Sequence, residues 1–142
     1  MSFPPIASLV PHRAPMLLLD EVCSADEASI ACRVVIGEAS PFAEGRRVRG
    51  VIALEYMAQC VGAFAGLKAQ ARGEPVRVGY LIGAKEVVLD LDHFDVGDEL
   101  RVEARHLFGD RLLGQFACRV VRAGRTVADA TLSVHMSQDE GT

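Results

Sequence analysis

The apolar positions of this chain change their spacing twice, near residue 50 and again near residue 75. Over residues 29–36, Ile30, Cys32, Val34 and Ile36 alternate with Ala31, Arg33 and Val35, which predicts a half-buried strand. The apolar run at 16–22 predicts a second, shorter strand. Ahead of both, Pro4, Pro5, Pro11 and Pro15 leave room only for a short helical turn around residues 6–10. Between 37 and 50 the alternation stops, and Pro41, Gly45 and Gly50 predict a long loop. From 51 to about 71 nothing interrupts a helix except Gly62 and Gly66, and such a rod is about 30 Å long. It is apolar nearly all round (Ile52, Leu54, Met57, Val61, Phe64, Leu67), so it must be wrapped rather than laid on a surface. Small residues at Ala58, Gly62, Ala65 and Ala69 allow a neighbour to approach it closely.

After Gly73-Glu74-Pro75 a period of two takes over, with strands predicted at 76–82, 86–91, 98–108, 111–122 and 126–136. Leu100, Val102, Ala104 and His106 alternate with Arg101, Glu103 and Arg105, as in a sheet with one wet face. Short turns at Gly109-Asp110 and Ala123-Gly124 join the last three strands into a meander. One central helix with a long antiparallel sheet curling round it is an α+β fold. It occupies residues 1–142 as a single domain whose polar end, 139–142, is expected to fray.

Composition narrows the function. The 142 residues are 50% hydrophobic, enough for a core without staples. Fifteen Lys+Arg against nineteen Asp+Glu give a net charge of −4, which argues against a nucleic-acid partner. Cys23, Cys32, Cys60 and Cys118 stand singly, without metal-ligand spacing, and read as reduced core thiols of a cytoplasmic protein. No secretory signal is visible at the N-terminus. The apolar stretch 51–67 falls just short of a membrane span and contains Glu55 and Gln59, so a buried helix is expected instead. No metal or cofactor motif occurs, and no G-x-S-x-G or phosphate-binding loop.

Glu55 is the candidate for chemistry. It is the one ionisable group between Gly50 and Leu67, and a carboxylate in such company must have a perturbed proton affinity or open onto a cavity; either suits a general acid or base. The alternative is a carboxylate near the positive end of the helix that merely faces solvent. Gln59, one turn on, can hydrogen-bond either Glu55 or a ligand. Gly50 and Val51 open the helix with backbone N–H groups that can receive a carbonyl oxygen as it turns negative. Arg46, Arg47 and Arg49 form a basic cluster that suits a phosphate or an acidic partner, or is simply solvated. The four histidines lack the spacing of metal ligands and read as core or surface residues.

Two segments carry a family resemblance. Residues 11–22, PHRAPMLLLDEV, resemble the opening of the 3-hydroxyacyl-(acyl-carrier-protein) dehydratases, and 50–59, GVIALEYMAQ, resemble the start of their central helix. Residues 78–85, VGYLIGAK, resemble the next strand, and Val96-Gly97-Asp98 the turn before a long one, so the likeness spans nearly the whole chain. In particular it resembles the small dehydratases of aryl-polyene gene clusters. The resemblance implies a hotdog fold that dimerises into one continuous sheet, with acyl-thioester sites at the interface. It casts Glu55 as the catalytic acid, Gln59 as its support and Gly50-Val51 as the oxyanion site. An acyl-carrier protein or CoA thioester is the implied substrate, with Arg46, Arg47 and Arg49 as candidate contacts to carrier or phosphopantetheine. In the family a histidine in a His-Phe-Pro-Gly segment removes the α-proton, whereas this register holds Ser40-Pro41-Phe42-Ala43-Glu44-Gly45. The expectation is therefore a dehydratase, as a homodimer or as one subunit of a heterodimer with a histidine-bearing homologue. The alternatives are a non-catalytic carrier-binding subunit and an acyl-thioester hydrolase.

Overall fold

The computed structural model describes residues 2–110 and 113–140. Helix α1 (Ala53–Ala71) is entered through a 3-10 turn, Gly50–Ile52. Strands β1 (Glu21–Ala25) and β2 (Ser29–Val35) precede it, followed by the short β3 (Ala43–Glu44) and β4 (Arg47–Arg49). After it come β5 (Arg77–Leu89), β6 (His93–Asp95), β7 (Glu99–Gly109), β8 (Leu113–Arg122) and β9 (Arg125–Glu140). Six strands make one antiparallel sheet in the order β1-β2-β7-β8-β9-β5, and β3-β4-β6 form a small second sheet.

The sheet presents Cys32, Leu100, Val102, Val120 and Leu132 to α1, which buries Met57, Cys60, Val61 and Phe64 in return. The residues from Gly50 to Ala71 are long and apolar enough to cross a membrane by length and composition, but they form the core helix of this fold. Residues 3–18 strap the other side of α1. Leu9 and Val10 are buried there, and a Cβ on Gly66 would lie 2.0 Å from the Leu9 carbonyl oxygen. Glycine is thus a requirement of the close approach that the small helix residues predict.

The structure departs from the sequence expectations in five places. The run 16–22 is not a strand until Glu21, because the backbone at Met16 and Leu18 bonds a helix side chain instead. The loop 37–50 contains the β3–β4 hairpin, turned at Gly45 with φ +65°. Residues 76–82 and 86–91 merge into the single strand β5, carried across register shifts between Leu81 and Gly83 and between Lys85 and Val88. The end expected to fray stays paired through Glu140, which faces Arg77, while 141–142 lie outside the described residues, as do 111–112 of the predicted strand 111–122. Cys23 is exposed, unlike the other three cysteines.

Strand β5 is one of the two edges of the large sheet, opposite β1, and is exposed from Gly79 onward. Tyr80, Ile82 and Val88 are each more than half exposed on it. An apolar edge of this length is a template for another strand.

Candidate active site

Gln59 organises the site. Its side chain is 1% exposed and its amide is shared among three partners. Oε1 accepts from the Leu18 N–H at 2.9 Å, and Nε2 donates to the Met16 carbonyl at 2.8 Å and to Glu55 Oε1 at 3.0 Å. Both amide hydrogens are therefore spent within the protein, and of the two options the sequence left open, Gln59 takes Glu55. The bond spans one turn of α1, so the helix itself sets the geometry.

Glu55 opens to the surface. About a third of its side chain is exposed, 35%. His12 Nε2 lies 3.9 Å from the same Oε1, with 32% of the histidine side chain exposed. The sequence put His12 among core or surface residues, since nothing in periodicity joins a loop after Pro11 to a helix more than forty residues on. The signal available was its place inside the Pro11-His12-Arg13 motif.

The helix entry needs a correction. The Gly50 N–H donates to the Asp92 carbonyl at 2.7 Å, so it is not free to receive an oxyanion. Gly50 is required there for close packing, since a Cβ would lie 2.6 Å from the Leu91 carbonyl oxygen. Val51, half exposed on the next residue, remains as the candidate donor.

The arginines do not act as one cluster. Arg46 Nη1 pairs with Glu38 Oε1 at 2.6 Å and Arg49 Nε with Glu44 Oε2 at 3.2 Å, which leaves only Arg47 of the three without a paired carboxylate among the described residues. The pairs are solvent-exposed and contribute little to stability.

Two of the buried thiols are held in the protonated form. A hydrogen bond to Cys32 together with burial holds the Cys60 thiol well above its ordinary range, and burial pushes Cys118 up to about 12. Burial likewise pushes the Tyr56 phenol up to about 12, with its ring edge-on to Phe94. Among the described residues no His, Cys, Asp or Glu cluster can hold a metal ion.

A family model for the ApeP dehydratases matches residues 4–142. The chain belongs to the ApeP-like dehydratase family. A chain of the dehydratase heterocomplex ApeI:P from Xenorhabdus doucetiae matches it with a TM-score of 0.92 at 26% identity, covering 96% of this chain and 93% of that one. A hypothetical thioesterase from Streptococcus pneumoniae, solved with coenzyme A, has a TM-score of 0.60 at 14% identity, over 84% and 87% of the two chains. Zebra fish thioesterase superfamily member 2 has a TM-score of 0.60 at 16% identity, over 82% and 80%. These two share the fold alone. The ApeP-like chain is thus a dehydratase-like hotdog protein, the family and fold that residues 11–22 and 50–59 suggested.

Proposed function

We propose that this ApeP-like protein eliminates water from a 3-hydroxyacyl thioester, with Glu55 giving its proton to the departing hydroxyl, in a dimer with a related hotdog subunit. The observation that carries this reading is a carboxylate fixed by Gln59 on the core helix yet open to the surface. Elimination needs a base at the α-carbon. The base takes the α-proton, the C–H electrons become the C=C bond, and the C–O bond breaks as Glu55 protonates the oxygen, so water leaves. The Val51 N–H would stabilise the thioester oxygen while the α-carbon is negative.

The dimer reading is supported by the β5 edge, whose apolar side chains are exposed, and by the heterocomplex in which the similar chain was solved. The C-terminal end of β5 leads to the Leu91 and Asp92 carbonyls that pack on Gly50, so a subunit paired along β5 reaches the helix entry. The acyl group is carried by acyl-carrier protein or CoA, and Arg47, with no carboxylate paired to it among the described residues, suits the carrier's acidic surface or the pantetheine phosphate. Three buried free thiols fit a reducing, cytoplasmic setting.

The test assays the full chain, alone and with a related hotdog subunit from its own gene neighbourhood, on 3-hydroxyoctanoyl-acyl-carrier protein, following enoyl product and free thiol together. Glu55→Gln should reduce enoyl formation by about a hundredfold or more. Unchanged elimination in that variant would overturn the assignment. Thiol release would mark a hydrolase instead, and carrier binding without either product a non-catalytic subunit.

A further inference from the structure

We infer that His12 is the α-proton base of this site, supplied by the same chain that supplies Glu55. The inference rests on the dehydratase reading above and fills the place left by Ser40-Pro41-Phe42-Ala43-Glu44-Gly45. Three observations carry it.

The first is distance. The α-carbon and the β-oxygen of a 3-hydroxyacyl thioester are two bonds apart, so groups that react with both on one face of the substrate must lie within a few ångströms of each other. His12 Nε2 and Glu55 Oε1 are 3.9 Å apart, and among the described residues no other basic side chain comes within ion-pair range of Glu55. The separation is too long for a hydrogen bond that would tie the two up.

The second is what the imidazole does not do. Among the described residues neither ring nitrogen of His12 has a hydrogen-bond partner, and Nδ1 is buried. A histidine kept for structure spends its nitrogens on the fold. This ring is placed by its backbone and left with its chemistry unused.

The third is how firmly that backbone is placed. Arg13 Nη1 donates to the Val10 and His12 carbonyls at 3.0 and 2.7 Å, folding the loop around its own side chain. On one side Leu9 lies against Gly66, and on the other Gln59 holds Met16 and Leu18. The same amide holds Glu55, so one buried side chain sets both the carboxylate and the strap that carries His12.

The proton count closes. His12 Nε2 takes the α-proton, Glu55 gives up its own to form water, and the imidazolium then returns a proton to the carboxylate, directly or through one water. No other co-reactant is needed. The partner subunit is then required for the shape of the acyl site rather than for a base.

The test separates base from acid. Octanoyl-CoA has no β-hydroxyl to lose, so exchange of its α-hydrogens in D2O, read by mass spectrometry, requires the base alone. Full chain with its hotdog partner should exchange; Glu55→Gln should retain exchange within about tenfold, while His12→Gln loses about a hundredfold. His12→Ala should recover exchange with added imidazole but not with the weakly basic pyrazole, a distinction that a packing role would not produce. Thermal midpoints of both His12 variants check that each is folded. Exchange retained by His12→Gln, or absent from the wild type, overturns the inference. Elimination retained by Glu55→Gln overturns the dehydratase reading separately.

Discussion

Two glycines one turn apart on α1 should respond to the same substitution with opposite signs. Replacing either by alanine removes backbone freedom from the unfolded chain and stabilises a helix by about 1 kcal/mol. At Gly62 the new Cβ would meet Val10 Cγ1 at 3.5 Å, an ordinary contact, so the gain is kept. At Gly66 it would lie 2.0 Å from the Leu9 carbonyl oxygen, with the Leu9 carbonyl carbon at 2.7 Å and Cα at 2.8 Å. These are backbone atoms, which cannot rotate away, so the strap must lift. Overpacking of this kind costs up to about 3 kcal/mol, which exceeds the propensity gain and leaves Gly66→Ala destabilised by about 2 kcal/mol. The two variants should differ by about 3 kcal/mol, roughly 10 °C in thermal midpoint at this chain length. Urea unfolding of both, at equal concentration, measures the difference. Shifts of the same sign would refute the close approach. Because the strap carries His12, Gly66→Ala should also slow the reaction in the folded protein, while Gly62→Ala should not.

Gln59→Leu keeps volume but leaves the Leu18 N–H and Met16 carbonyl unpaired, and should cost about 2–4 kcal/mol in urea unfolding; a cost below about 1 kcal/mol would contradict the bridging role. Arg47→Glu should weaken binding to acyl-carrier protein several-fold at low salt, and unchanged affinity would remove the arginine from the carrier contact. Burial raises the proton affinity of Glu103, but hydrogen bonds from Arg101 and Arg119 outweigh it and hold the carboxyl below its ordinary range. A depressed carboxyl stabilises the fold above its unfolded value and loses that contribution as pH falls through the folded one. Glu103→Gln should therefore cost about 0.5–1 kcal/mol at pH 7, discounted for half-exposed arginines, and nothing near pH 2. An equal cost at both pH values would exclude the linkage.

The parts of this fold that bury one face announced themselves. Strands β2 and β7 follow the alternation of Ile30, Cys32 and Val34 and of Leu100, Val102 and Ala104, because one side of each meets α1 and the other meets water. Strand β5 was read as two pieces because it has no buried face from Gly79 onward, so no period marks its continuity, and Glu86 at φ +54° interrupts the pattern without ending the strand. Strands β3, β4 and β6 are too short to show a period at all. Glu55 and Gln59 were legible as polar residues in an apolar helix. That Gln59 grips Met16 and Leu18, that Asp92 occupies the Gly50 N–H, and that Glu38 and Glu44 answer Arg46 and Arg49 are contacts set by packing. Only the two arginine pairs are close enough in sequence to have been suspected.

In the dimer proposed above, the β5 edge would link the fate of this protein to the rate at which its companion is made. A strand with Tyr80, Leu81 and Ile82 turned to water is an invitation to any other strand, including its own copies, whenever synthesis outruns pairing. Association would remove that surface by mass action, so the soluble amount of the chain follows the amount of its companion. Unmatched copies would then be substrates for chaperones and proteases. In that dimer, matched production of the two chains would be a condition for keeping this one, before any catalytic turnover takes place.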